Sequence, residues 1–516
     1  MHTQVLIIGG GATGTGLARD LALRGVHCTL VEKSHLNAGA SGRNHGLLHS
    51  GARYVGTDPI AAKQCHEENL LLKKIIPRVI EDTNGLFVAI EGDDEQYIAD
   101  FPNLCKKCGI PVQAVDVDEA RELEPSLSAK LIAAYRVDDG AIDPFALCRE
   151  NIAQAESFGS SLLLHTEVIG FKKQGNQITE TLLRDRVTGT ESAIEADTVV
   201  NAAGAWVGHI AAMAGIAIHM LYSKGTLLVT GHRFTRHVIN RLRPPHDGDI
   251  LVPGGSVSIL GTTSIRVDSP DVTLPSFPEI DLLVNEGAAM LPVLKNTRFV
   301  RAYAGVRPLL DFENGFDDRS VSRGFSLLDH SNDGLENFLS IPGGKLTTYR
   351  FMAEKTADVV CDRLGVKKPS VTAVEPVPST GMGRWSEPGA AARVWIEQKD
   401  PDDPVLCECE IVPQSLIRGV ISSITKKNMK PSLLAIGEVT RVGKGVCQGT
   451  FCGARITAAM HSNGDLCGDD GLGDLKDFLR ERWRGERPAL WDGQLIQAEL
   501  KEAFYCGLAG LELRDE

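Results

Sequence analysis

Residues 4–32 read QVLIIGGGATGTGLARDLALRGVHCTLVE, and the architecture of the chain follows from them. Residues 4–8 are a β-branched apolar run, 9–14 a glycine turn, 15–24 a helical segment and 26–32 a second apolar run. Strand, turn, helix and strand in that order predict a βαβ unit with parallel strands, and so an α/β protein. The glycines fall as Gly9-x-Gly11-x-x-Gly14, with Glu32 closing the next strand, which is the full context of a dinucleotide fingerprint. Gly9 permits the tight turn, Gly11 lets backbone approach a pyrophosphate, and Gly14 lets the helix pack closely on the strand. The helix N-terminus receives the anion, and Glu32 accepts hydrogen bonds from the adenosine ribose.

Outward from this unit, the chain has 516 residues, with 54 Lys+Arg against 67 Asp+Glu and a formal charge of −13. That length predicts about three or four domains, or one large domain with attachments. An acidic chain is a poor nucleic-acid partner, although a local basic pocket for a small anion remains compatible with it. The opening residues lack a basic n-region and a cleavage site, so no signal peptide is expected. Residues 198–223 carry no Asp, Glu, Lys or Arg, yet Asn201, His209, His219 and three glycines make them strand, turn and buried helix rather than a membrane span. Short β-rich runs over 160–329 predict a second sheet, antiparallel or mixed, and 340–364 repeat the strand, glycine turn and helix pattern. We expect an oxidoreductase body over 1–370, a Pro- and charge-rich linker over 371–404, a small unit over 405–455 and a helical tail over 456–516.

Two further features favour FAD over NAD as the dinucleotide. Residues 199–204 (VVNAAG) form a strand ending in small residues, suited to a ligand passing close to backbone. Residues 342–350 (PGGKLTTYR) turn into a helix whose dipole could stabilise charge on a reduced flavin ring. In the C-terminal third, Cys407-x-Cys409 and Cys447-x4-Cys452 form two pairs surrounded by Gly443, Gly445 and Gly449. Four thiolates suit a [2Fe–2S] cluster, and the glycines suit a loop whose N–H groups point at its sulfurs. Zinc also accepts four cysteines but favours wider spacing than Cys-x-Cys, and purely structural thiols are the third reading. Cys28, Cys105 and Cys108 read as ordinary core or surface thiols.

The segments GGGATGTGLARDLALRG, GASGRNHGLLHSGARYV, AYAGVRPL and GGKLTTYRFMAE together resemble the FAD-dependent glycerol-3-phosphate dehydrogenases. The fold implied is D-amino-acid-oxidase-like: a Rossmann-type FAD-binding domain with an inserted mixed or antiparallel substrate sheet, followed by a small α-rich cysteine module. CECE and RVGKGVCQGTFCGAR narrow the resemblance to the A-subunit family of the bacterial anaerobic enzymes. The cysteine module is similar to bacterioferritin-associated ferredoxin, but has four residues where the simplest version has two between its last cysteines. The resemblance implies oxidation of sn-glycerol 3-phosphate to dihydroxyacetone phosphate, with electrons passing from FAD through a [2Fe–2S] centre and B and C subunits to quinone. It also implies a cytoplasmic chain, held peripherally on the cytoplasmic face of the membrane by those partners. Ser41, Arg43, Asn44, Val168, Gly204, Gly344 and Leu346 join Gly9, Gly11, Gly14 and Glu32 as its FAD contacts.

A dianionic phosphate is best held by Arg forks and a Lys point charge. The family motifs offer Arg53 with neighbouring Tyr54, Arg307, Arg323 and Lys345 for this, Arg307 and Lys345 foremost. His49 is the candidate base for the C2 hydroxyl, with His45 beside it and His232, His237 and Lys345 as rivals. Thr262 and Thr263 are candidate substrate hydrogen-bonders. A flavin dehydrogenase of amines or other hydroxy acids, or a non-catalytic redox relay, are the competing readings. Arg53 and the GVRPL and GGKLTTYR motifs favour phosphate, and the aromatic tail over 475–512 is a candidate docking surface.

Overall fold

The structure is a computed structural model that describes residues 2–310, 324–378, 395–426, 430–466 and 468–512. Arg323 and residues 379–394 of the expected linker lie outside the described residues.

The strand His2–Ile8 sits at the centre of the first sheet, parallel to Cys28–Val31 on one side and to Glu191–Asn201 on the other. Ser161–Leu163 and Phe338–Ser340 extend the parallel arrangement outward. Side chains alternate across a strand, so Val5 and Ile7 point to one face and Leu6 and Ile8 to the other. The Val5 face packs with Leu30 and Val200 against Leu17, Ile152, Ala353 and Val360 of the helices Ala12–Leu23, Pro144–Ser157 and Tyr349–Arg363. Leu6 and Ile8 pack beneath Ile210 and Ala211 and the hairpin residues Val168 and Leu183. A parallel sheet needs cover on both faces, and the continuous apolar run 5–8 reflects that.

The second sheet has nine strands and is mixed. Its spine is the antiparallel pair Met220–Thr230 and Phe299–Leu310. The strands Gly85–Ile90, Gln113–Val115 and Leu131–Val137 complete it, far upstream of the 160–329 segment expected to form it, and Gly85–Ile90 pairs in parallel with Val238–Arg241. Residues 161–201 go instead to the first sheet. The chain therefore crosses between the sheets several times. The helix Phe277–Met290 covers one face, burying Ile280 and Leu283 against Leu228, Ile239 and Leu260.

The cysteine pairs lie in a C-terminal unit with its own core of Ile417, Val420, Ile436, Ile456, Phe478 and Leu479. It is pinned to the body at several points. Ala302 N donates to Gly485 O at 3.0 Å, and Arg149 Nη1 donates to Val439 O at 3.0 Å. Arg441 Nε bonds Glu410 at 2.6 Å, while its Nη1 is 3.9 Å from Asp143 of the body.

Candidate active site and cysteine centre

A cavity of about 530 Å³ opens at the carboxyl ends of the first sheet and runs to the second. Its first wall is the glycine turn. Gly9 has φ +116°, and a Cβ there would lie 2.5 Å from Ala202 O; a Cβ on Gly14 would lie 2.0 Å from Gly9 O. Gly14 is accordingly not on the cavity wall but lets the helix Ala12–Leu23 close onto the turn, while Gly9 and Gly11 line the cavity. The first turn of this helix carries no acidic residue of its own, and its N-terminal end faces the cavity.

Glu32 organises this end. Its Oε2 accepts from Gly10 N at 2.8 Å and its Oε1 from Ser34 N at 2.9 Å, and a carboxylate with two bonds made keeps lone pairs for a ribose. Ser41 Oγ accepts from Ala12 N at 3.0 Å, tying the segment 40–46 to the helix start. Val168, Gly204, Arg43 and Asn44 line the same cavity. Asn44 is held from behind, its carbonyl accepting from Tyr303 OH at 2.8 Å. Three residues not anticipated here are Lys33, Trp206 and Asp271. The Lys33 ammonium stands 3.9 Å from the Trp206 ring, and Trp206 Nε1 donates to Asp271 at 3.1 Å. An aromatic residue directly after VVNAAGA was the available signal for them.

The same cavity is also lined by His45, His49, Arg53, Tyr54, Thr262, Arg307, Gly344, Lys345 and Leu346. Arg307 rises from the strand Phe299–Leu310 opposite Ser223 and bonds Ser223 Oγ at 3.2 Å, Thr263 O at 3.0 Å and Thr262 Oγ1. Lys345 Nζ lies 4.9 Å from the Tyr54 ring, and the His49 ring lies 5.3 Å from the same ring. His49 N donates to Thr347 Oγ1 at 3.1 Å, so the two family motifs are joined by a hydrogen bond across 298 positions. Arg53 is buried and shares its charge with fully buried Asp249, at 2.9 Å, which Arg243 also engages. Its Nη1 has no hydrogen-bond partner among the described residues, so part of the fork is uncommitted. His232 and His237 do not line the cavity. His237 Nδ1 is 2.6 Å from Glu124, and His232 packs against Phe234.

Around the cysteines, Cys407 contacts Cys452, Cys452 contacts Cys447, and Cys447 contacts Cys409 through sulfur hydrogen bonds. Backbone N–H groups of Glu410 and Gly443 point at the Cys407 sulfur, and those of Gly449 and Phe451 at Cys447. The Cys409 and Cys452 thiols, with these backbone donors, hold Cys447 well below the usual thiol range. Glycine is needed at two points of this loop: a Cβ on Gly445 would lie 2.4 Å from Cys409 Cβ, and Gly449 has φ +82°. Among the described residues, no three His, Cys, Asp or Glu side chains surround a single metal-ion position. A binuclear cluster divides four thiolates between two irons, and a linked row of four sulfurs with inward N–H groups fits that demand.

A parallel sheet with a Gly-rich turn, an acidic residue on its second strand and a cavity bridging to a mixed second sheet define a flavoprotein oxidoreductase architecture. The family model "FAD dependent oxidoreductase" matches residues 4–350. The chain belongs to this family and, within it, to the A subunits of anaerobic glycerol-3-phosphate dehydrogenases. It is 40% identical to the A subunit from Escherichia coli K12, over 99% of this chain and 97% of that one. It is 38% identical to the A1 subunit from Haloferax volcanii, over 98% of this chain and 90% of that one. Its fold matches the FAD complex of glycerol-3-phosphate dehydrogenase from Bacillus halodurans, with TM-score 0.65 and 21% identity over 95% of this chain and 96% of that one. The L-α-glycerophosphate oxidase from Mycoplasma pneumoniae matches with TM-score 0.57 and 21% identity, over 73% of this chain and all (100%) of that one.

Proposed function

We propose that this chain oxidises sn-glycerol 3-phosphate to dihydroxyacetone phosphate. Electrons then leave through a [2Fe–2S] centre to B and C subunits and, through them, to membrane quinone. The observation that supports the reading is that Arg53, Arg307 and Lys345 line the same cavity as the dinucleotide turn. Relatives named as the A subunit of the anaerobic dehydrogenase support both the substrate and the need for further subunits.

Bound FAD would supply the two-electron acceptor for the hydride lost from C2 of the substrate. The chain's own residues do the rest. The phosphate dianion is held by the Arg307 fork and the Lys345 ammonium, with Tyr54 packed against Lys345 and Arg53 adding positive charge beside them. That fixes C2 and its hydroxyl. His49, anchored by its backbone to Thr347, takes the hydroxyl proton as hydride departs, leaving a ketone. Cys407, Cys409, Cys447 and Cys452 would ligate the cluster, which supplies one-electron carriage. No helix among the described residues is long and apolar enough to cross a membrane, and in this reading the partners bridge to quinone from the cytoplasmic face.

The test is anaerobic addition of sn-glycerol 3-phosphate to the purified flavoprotein, followed by absorbance and electron paramagnetic resonance. Bleaching of the oxidised flavin band with a [2Fe–2S] signal supports the reading. Bleaching by amines or other hydroxy acids alone overturns the substrate, and bleaching without a signal overturns the cluster.

A further inference from the structure

Arg307 can bind a phosphate well only if its fork is held before substrate arrives, because ordering a free guanidinium consumes binding energy. The cradle that holds it is 262–264: Thr262 Oγ1 and Thr263 O accept from Nη2, and Ser223 Oγ, 2.9 Å from Ser264 Oγ, accepts from Nη1. Gly225 keeps this face open, since a Cβ there would lie 2.5 Å from Arg307 Nη2.

Side chains alternate along Met220–Thr230, so Ser223 and Gly225 face Arg307 while Lys224 and Thr226 face the other way. There they meet Glu279 of the helix Phe277–Met290. Glu279 Oε1 accepts from Thr226 Oγ1 at 2.7 Å and from Thr263 Oγ1 at 3.1 Å. Its Oε2 takes Lys224 Nζ at 2.8 Å and both the N–H and hydroxyl of Ser276. Thr263 Oγ1 in turn accepts from Thr226 N at 2.9 Å. Thr226 and Thr263 are fully buried, Glu279 is 2% and Lys224 6% exposed. A buried ion pair is a poor source of net stability but a firm way to fix geometry.

We infer that Glu279, paired with Lys224, is a positioning residue for Arg307, acting through Thr263. This rests on the glycerol-phosphate reading in that Arg307 is taken as the phosphate ligand. Thr263, a candidate substrate hydrogen-bonder in the sequence, acts in this reading from behind the arginine.

The test uses the full-length holoenzyme as Thr263→Val, Thr263→Ser and Glu279→Gln, each checked for FAD content. Thr263→Val and Glu279→Gln should raise KM for sn-glycerol 3-phosphate about tenfold with kcat within about twofold, while Thr263→Ser restores wild-type values. Titration with inorganic phosphate, followed by flavin absorbance, should show the same weakening without turnover. Unchanged KM and unchanged phosphate binding in both disruptive variants overturn the inference, as does a wild-type protein that binds no phosphate. Loss of FAD together with equal falls in kcat and kcat/KM means a merely structural role and also overturns it. A wild type that binds phosphate but is not reduced by glycerol phosphate sinks the substrate reading alone, and the phosphate titration still decides the positioning role.

Discussion

Arg301 Nη2 lies 2.8 Å from Glu481 Oε1, joining the strand that carries Arg307 to the helix Asp470–Trp483 of the cysteine unit. The two residues are 180 positions apart, and Arg43 on the cavity wall also feels the Glu481 charge. A double-mutant cycle with Arg301→Met and Glu481→Gln should give a coupling of about 1 kcal/mol by thermal or denaturant unfolding. Additive effects would mean that the ion pair does not help to dock the two parts.

Gly14→Ala should cripple cofactor binding. The new Cβ would overlap Gly9 O at 2.0 Å, and the helix must move off the turn to admit it. Overpacking of this kind costs about 1–3 kcal/mol, which predicts roughly 5- to 150-fold weaker FAD retention. Titration of the apoprotein with FAD, read by fluorescence quenching, checks it.

Arg307→Lys keeps the charge and loses the fork. With Ser223, Thr262 and Thr263 built to receive two nitrogens, a lysine cannot reproduce the geometry. Losing charged hydrogen bonds worth about 1.5–3 kcal/mol predicts a rise in KM of roughly 10- to 100-fold. Steady-state kinetics with an artificial acceptor would measure it.

In the proposed reading, Cys447→Ser should abolish the [2Fe–2S] signal expected of the wild type and leave flavin bleaching by substrate intact. Cys447 touches both Cys409 and Cys452, so its loss breaks the row of sulfurs at its middle. Iron content and the resonance spectrum of the reduced enzyme report the outcome.

Burial raises the Asp474 carboxyl from 3.8 to about 6, partly offset by the Leu433 N–H that it accepts at 2.8 Å. The native state therefore binds this proton more tightly than the unfolded chain. Between about pH 4 and 6 the group makes stability rise as pH falls, with a slope of at most about 1.4 kcal/mol per pH unit. Above about pH 6 it is ionised in both states and the slope vanishes. Asp474→Asn can still accept from Leu433, and it should remove this component from the unfolding profile measured between pH 4 and 7.

The sequence alone determined what is local. The βαβ unit over 4–32 is legible because glycine's freedom, a strand's apolar run and a helix's start are all written within a few residues, and the two cysteine pairs are legible for the same reason. Which cations can meet a phosphate was legible only as a set of candidates. Tertiary structure decided that Arg53 commits one nitrogen to Asp249, 196 positions away, that His237 turns to Glu124, and that Arg307, Lys345 and His49 converge on one cavity. It also drew residues 85–137 into the second sheet and set Thr263 and Glu279 behind the arginine. A charged or hydrogen-bonding side chain is indifferent to its neighbours in sequence. Its partner is chosen when burial forces each desolvated polar group to find another, and that choice belongs to the folded chain as a whole.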